Sequence, residues 1–233
     1  MQEWERKLVR ELNLRKEQLD YYEFFSPKCI MWYLEAFREC GEKISEDQIN
    51  FDYVIFPKRF YEAVEALRNE KIYDFCFVGG FLTDPKTIAA RVWILQFIRQ
   101  YMSDKSYLQF TDHKTKQNYK PIGAFDLTLK ARGFVPKEVP IIERNWFDAS
   151  YFQIMKQSQF VLCPAGDLNY SMRFYEALMC KAIPIVYNVN ETFRSKQEAQ
   201  LSYKYYLTSD EFIYRQDWVE HNYELFLKYH TLH

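Results

Sequence analysis

The residues best suited to chemistry lie within residues 163–187, where a glycine loop leads into a predicted helix. Gly166 lets the backbone approach a ligand, and Ser171 begins a helix whose free N–H groups and positive dipole end favour phosphate. Arg173 and Glu176 are three residues apart, so they share one helix face. That face offers a cation for a diphosphate and a carboxylate for ribose hydroxyls. A solvated surface ion pair beside an ordinary glycine turn is the alternative for the same residues.

The elements that would position these residues alternate between strand and helix patterns. One predicted strand ends at Gly79-Gly80 and another at Cys163. Alternation at short intervals is typical of an α/β fold with a parallel, doubly wound sheet. Ligands of such sheets bind beyond the carboxyl ends of the strands, which directs attention to the loops after both. The predicted elements are strands at residues 73–78, 107–111, 160–163 and 183–187 and helices at residues 87–102, 151–157 and 171–180.

Weaker patterns flank this α/β region on both sides. Residues 51–56 have the composition of a strand, residues 60–68 fit a helix, and residues 112–150 carry mostly loop signals. The tail is helical in pattern and rich in aromatic residues. We expect a short N-terminal lobe at residues 1–70, a Rossmann-like lobe at residues 71–190 and C-terminal helices at residues 191–233 that pack back on both lobes.

One continuous run of motifs resembles a family signature. The run FVLCPAGDLNYSMRFYEALMCKAIPIVYN contains Cys-Pro-x-Gly, then Ser-x-Arg-Phe-x-Glu-Ala, a spacer and Ile-Pro-Ile-Val. In this order it resembles the donor-binding signature of the exostosin family of glycosyltransferases. YDFCFVGG, followed by Arg91, resembles more weakly the opening strand, loop and helix of the same lobe, so the similarity covers roughly residues 70–190. The chain departs from the family at Lys181-Ala182, where a glycine is common before Ile-Pro.

The resemblance implies a GT-B-like fold of two Rossmann-like lobes, here with a shortened N-terminal lobe, and a UDP-sugar in the cleft. Ser171 and Arg173 would hold the diphosphate, and Glu176 would bind ribose. Gly80 and Arg91 would border the phosphates from the facing loop. The full set of donor-site residues that this resemblance implies is Gly80, Arg91, Pro164, Gly166, Ser171, Arg173 and Glu176.

The implied reaction moves a sugar, with inversion, from UDP-xylose, UDP-glucuronate or UDP-N-acetylglucosamine to a glycan or glycoprotein acceptor. The resemblance implies no obligatory metal. The lack of an Asp-x-Asp pair in the sequence fits, because metal-dependent sugar transferases usually need such carboxylates to hold the cation. We therefore expect no metal ligands and no separate cofactor. Arg173 is expected to stabilise the charge that develops on the leaving diphosphate.

An inverting transfer also needs a base that takes the proton of the acceptor hydroxyl. Asp84 and the pair Asp112-His113 are candidates, because they lie in loop regions near the glycine turn. An ordinary Asp-Pro turn and a solvated histidine are the alternatives for these residues. No spacing selects among the three.

Composition excludes several other classes of protein. The 31 basic residues against 32 acidic residues provide no broad positive field for nucleic acid. The five cysteines show no Cys-x-x-Cys spacing and are interpreted as buried thiols in a reducing compartment. No window approaches the roughly 18 apolar residues that a transmembrane helix requires, so we expect a soluble cytoplasmic protein.

Two other functions remain as alternatives to a transferase. A shortened relative that keeps the nucleotide pocket would act as a non-catalytic, nucleotide-sugar-binding partner subunit. A methyltransferase that uses S-adenosylmethionine would also place glycines after its first strand, as Gly79-Gly80 do. The second spaced glycine and the acidic residue that usually accompany such a site are missing, which disfavours this alternative.

Overall fold

The computed structural model describes residues 56, 58–80, 85–112, 117–118, 149–165, 170–193 and 196–231. Strands and helices alternate along most of this part of the chain, as the hydrophobic patterns predict. The strands are β1 (Tyr73–Gly80), β2 (Tyr107–Asp112), β3 (Gln117–Asn118), β4 (Ser158–Leu162), β5 (Ile183–Val186) and β6 (Tyr206–Leu207). The helices are α1 (Lys58–Glu65), α2 (Pro85–Tyr101), α3 (Ala149–Lys156), α4 (Met172–Met179), α5 (Lys196–Ala199) and α6 (Gln216–His230), with a 3-10 turn at Val189–Glu191.

The described strands form one sheet in the order β3-β2-β1-β4-β5-β6. The pairs β2–β1, β1–β4, β4–β5 and β5–β6 are parallel, and the short β3 is antiparallel to β2 at the edge. The fold is therefore α/β with a five-stranded parallel sheet, which is compatible with a Rossmann-like arrangement. Parallel strands are covered by helices on both faces, which explains why β1, β4 and β5 are rich in apolar residues.

Alternate residues along each strand enter two separate cores. On one face, α2 buries Trp93, Ile94 and Phe97 against residues such as Phe77 and Ile185. The opposite face packs its side chains against helices that include α3 and α4. Because successive side chains of a strand point to opposite faces, this alternation fixes which residues at the strand ends point towards α2.

The strand β1 is longer than its sequence pattern predicts. The glycines were expected to form a loop, but Gly79 and Gly80 continue the strand and pair with Phe110 and Thr111 of β2. A glycine costs backbone entropy in a strand, so its use here indicates a close approach by another group. That group is the guanidinium of Arg173.

The C-terminal tail differs from the predicted set of helices. Tyr206–Leu207 forms β6, which pairs with β5 at Ile185 and Val186, and α6 follows it. Tyr206 is buried and its ring packs against Phe160 and Trp218, so tertiary packing outweighs the helical pattern of the surrounding residues.

The chain lacks the glycine that the family signature commonly has before Ile-Pro, and the structure places Lys181-Ala182 at the end of α4. Lys181 has a φ of 55°, and the N–H groups of Lys181 and Ala182 donate to the carbonyls of Leu178 and Ala177. This pattern is a Schellman motif, in which glycine is the usual left-handed residue. Lys181 fills the position instead, with its Nζ 2.7 Å from a carboxylate oxygen of Glu65.

Several predictions lie wholly or largely outside the described residues. These are the strand at residues 51–56, apart from Phe56, most of the loop region at residues 112–150, and the positions of Asp84, His113 and Gly166. Phe56 itself forms an isolated parallel bridge with Thr231. The predicted helix at residues 60–68 is observed as α1, shifted towards the N-terminus.

Candidate functional site

The strand order creates a crevice between the carboxyl ends of β1 and β4. From β1 the chain passes through α2 to β2 on one side of the sheet. From β4, the neighbour of β1, it passes through α4 to β5 on the other side. The connections therefore run in opposite directions at this point. Open α/β sheets bind ligands at such a point, which is called here the switch-point crevice.

Arg173 extends from the first turn of α4 across the end of β1. The side chain is half-buried, and its Cζ lies 5.0 Å from the centre of the Phe77 ring. A Cβ atom built on Gly79 would lie only 2.5 Å from an Arg173 terminal nitrogen. Gly79 is therefore the residue that leaves room for the guanidinium, and the close approach explains why a glycine stands within the strand.

The guanidinium of Arg173 is charged and incompletely paired. Burial acts to lower the pKa of Arg173, but Tyr151, Glu176 and Cys163 act to raise it, and the resulting pKa lies above the ordinary value. Its Nε is buried and has no hydrogen-bond partner within the described part of the chain. A buried donor without a partner is costly, so it indicates a site where a ligand atom would accept the bond.

A second arginine reaches the same crevice from the other face of the sheet. Arg91 lies on α2, and its Nε donates to the carbonyl of Ala165 at 3.4 Å, just beyond the end of β4. Arg173 also lies towards the α2 side, because Phe77 and Gly79 share that face of β1. Two cations from different helices therefore lie at the carboxyl edge of the sheet, an arrangement that suits a small polyanion.

Glu176 is held by Tyr151, a residue that no motif in the sequence indicates. Its side chain is buried, with 3% of its surface exposed, and the Tyr151 hydroxyl donates to Oε2 of Glu176 at 2.6 Å. Tyr151 also forms a hydrogen bond with Arg173, which raises the pKa of the arginine. Tyr151 therefore positions both Arg173 and Glu176. No local pattern could have identified it, because Tyr151 and Glu176 come together only through the packing of α3 on α4.

The other predicted site residues that the structure describes lie at or near the ends of α4, β1, β2 and β4. Ser171 precedes α4 in an extended conformation and is buried, and its side chain makes no capping hydrogen bond in the described structure. Pro164 is buried two residues after the end of β4, and Gly80 ends β1. Asp112 ends β2 and follows Thr111, the partner of Gly80, so it lies along the same edge of the sheet. Asp84 and Gly166 lie outside the described residues.

The described part of the chain shows neither a metal cluster nor a membrane span. It holds no group of three or more His, Cys, Asp or Glu residues that could bind a metal ion. None of its helices has the length and apolar character needed to cross a bilayer. Cys76, Cys163 and Cys180 are buried free thiols, and burial raises the pKa of Cys76 to about 11.

Replacing Tyr151 by phenylalanine is expected to weaken both the fold and the site. The substitution removes a donor from a buried carboxylate, which costs roughly 1–3 kcal/mol of unfolding free energy. Tyr101→Phe is the control, because its hydroxyl only accepts an exposed bond from Gln100. Urea denaturation of both variants gives the comparison, and equal stability of the two would show that the bond to Glu176 is of no consequence.

A family model matches the C-terminal part of the chain. The model of the RXYLT1 C-terminal domain matches residues 135–232, which is less than half of the chain, and this family is xylosyltransferase-related. No curated protein and no solved structure matches significantly. The matched segment contains Tyr151, Arg173 and Glu176, whereas Gly79 and Arg91 precede it. The part of the chain that carries α4 is therefore similar to a xylosyltransferase-related family, which indicates a glycosyltransferase-like protein with a glycosyltransferase-related function.

Proposed function

We propose that the chain is a glycosyltransferase that uses a UDP-sugar and binds its diphosphate in the switch-point crevice. The donor is UDP-xylose, UDP-glucuronate or UDP-N-acetylglucosamine, and the similarity to a xylosyltransferase-related family favours UDP-xylose. The acceptor is a glycan or glycoprotein. The overall architecture is of the exostosin-like GT-B type, with the described sheet as the donor lobe.

The observation that carries this proposal is the Arg173 guanidinium at the carboxyl end of β1. It has an unpartnered buried Nε among the described residues, and Gly79 leaves room for it. A diphosphate oxygen would accept the missing hydrogen bond, and the arginine charge makes such a bond short and strong. Ser171, at the start of α4, adds the N–H groups of a helix terminus directed at the same anion.

Catalysis would come from the same two arginines. Departure of the sugar leaves additional negative charge on the diphosphate, so Arg173 and Arg91 bind the transition state more tightly than the intact donor. Two fixed cations take the place of a metal ion, which is the reason for proposing a metal-independent reaction. In this scheme Glu176, oriented by Tyr151, binds the ribose.

The proton of the acceptor hydroxyl must pass to a base on the opposite side of the sugar from the leaving group. Asp112 is one candidate, because β2 ends beside β1 at the edge where the arginines lie. Asp84 and His113 are the other candidates from the sequence. Separate substitutions of each by asparagine test them, because loss of the base lowers kcat by a factor of roughly 100 to 10,000 and leaves UDP binding intact.

A thermal-shift screen with EDTA present tests the donor class. UDP, GDP, CDP, dTDP and S-adenosylmethionine are compared, since a ligand at 100 times its Kd stabilises the native state by about 2.7 kcal/mol. We expect UDP to raise Tm selectively, and UDP-xylose to be consumed when glycan acceptors are added. Binding of UDP without turnover would indicate the partner-subunit function. Stabilisation by S-adenosylmethionine alone would refute the transferase.

A further inference from the structure

We propose that Tyr187 is the platform on which the nucleobase of the donor stacks. The inference rests on the proposed function and extends it to a part of the ligand for which Arg173, Arg91 and Glu176 provide no contact. Tyr187 follows directly after β5, at the carboxyl edge of the sheet, and its side chain is 59% exposed. Among the side chains that the structure describes, it is the most exposed aromatic residue.

The ring of Tyr187 is supported from beneath. It lies nearly parallel to the ring of Trp93, with an interplanar angle of 13° and centroids 6.2 Å apart, which is an offset stack. Trp93 is itself 4% exposed and has an edge-on contact with Phe97. Trp93 thus partly covers one face of the Tyr187 ring and fixes its orientation, while much of the ring is open to solvent. A held aromatic ring loses little conformational entropy when a flat ligand binds to it.

Tyr187 also lies on the side of the sheet where the two arginines meet. Ile183 and Ile185 point into the core beneath α2, so the alternation along β5 directs Tyr187 the same way. Arg91 and Trp93 come from neighbouring positions of α2. A nucleotide lying along this edge would therefore meet Arg91 of α2 at its diphosphate and Tyr187, which Trp93 of α2 supports, at its base.

The separation along the edge suits a nucleotide. Two strand spacings separate β5 from β1, which is about 10 Å at the usual distance between neighbouring strands. A nucleoside diphosphate extended along the edge would place its diphosphate at Arg173 and its base at Tyr187, with the ribose between them. Bases stack on aromatic side chains through their π faces, and this interaction does not require a particular base.

Calorimetric titration of the whole chain with two probes tests the proposal. UDP carries the base, whereas inorganic pyrophosphate presents only the anion. We expect Tyr187→Ala to raise the Kd for UDP about tenfold or more, the effect typical of losing a base–aromatic stack, and to leave pyrophosphate binding unchanged. Tyr187→Phe is the matched control, which keeps the ring and therefore the affinity. Unchanged melting temperatures would establish that both variants fold.

Several results would overturn the proposal. If Tyr187→Ala binds UDP with the wild-type affinity, the base binds elsewhere. The proposed donor site would still stand in that case, provided that Arg173→Ala no longer binds UDP. Loss of UDP and pyrophosphate together in Tyr187→Ala would show that the residue acts on the anion or the fold. A raised KM for the acceptor with unchanged UDP binding would assign Tyr187 to an acceptor sugar. Failure of the wild-type chain to bind UDP would refute the proposed function itself.

Discussion

Arg173→Ala is expected to lower kcat/KM for sugar transfer by roughly 100- to 1000-fold, the effect of losing one well-placed donor to a developing negative charge. The side chain is half-buried over Phe77, and its Nε has no protein partner in the described region. Removing it therefore removes an unsatisfied buried donor, but it also removes some packing and the favourable interactions of the guanidinium with Glu176 and Tyr151. These effects on stability oppose each other, so we expect little change in the free energy of unfolding.

Arg173→Lys separates charge from geometry. Lysine keeps the positive charge but lacks the planar fork that forms two parallel hydrogen bonds to a phosphate. We expect its activity to lie between those of the wild type and Arg173→Ala. Steady-state kinetics with varied UDP-xylose, together with urea denaturation, gives both quantities. If Arg173→Ala unfolds the chain, or keeps full activity, the residue is structural and the proposed donor site is wrong.

Gly79→Ala is expected to reduce kcat/KM for sugar transfer by up to about 100-fold, because a displacement of about 1 Å at a catalytic group has effects of this size on the rate. The new methyl group would lie 2.5 Å from a terminal nitrogen of Arg173, which must move away. The end of an arginine side chain moves at small cost, and alanine is compatible with an extended strand. The unfolding free energy should therefore change by less than about 1 kcal/mol.

A double-mutant cycle assigns the effect of Gly79→Ala to its cause. If the methyl group acts only by displacing the guanidinium, adding Gly79→Ala to Arg173→Ala changes nothing further. Steady-state kinetics of all four proteins measures this coupling. Equal losses of kcat/KM with and without Arg173 would mean that Gly79 contacts the ligand, or shapes the strand, independently of the arginine.

Local patterns in the sequence were sufficient to predict most of the parallel sheet. The apolar strand patterns before Gly79 and around Phe160 and Ile183 correspond to β1, β4 and β5. The spacing of Arg173 and Glu176 likewise predicted that they share a face of α4, and the charge of Glu176 helps to raise the pKa of Arg173. These features depend on residues close together in the chain, where helix and strand periodicity is expressed directly.

Contacts between distant residues set the limit of that prediction. The extension of β1 through its glycines depends on pairing with β2, and β6 exists because its two residues pair with β5. The bond from Arg91 to Ala165 joins residues 74 positions apart, and that from Tyr151 to Glu176 joins residues 25 positions apart. Neither pair leaves a spacing signal in the sequence.

The sequence by itself determined that this is an α/β chain with a cation and a carboxylate three residues apart on one helix. Only the tertiary structure decided that Gly79 makes room for Arg173, that Tyr151 holds Glu176 and that Tyr187 lies on Trp93. The physical reason is that secondary structure follows from the periodicity of neighbouring side chains. The site, in contrast, is assembled where the order of strands in the sheet brings the ends of separate elements together.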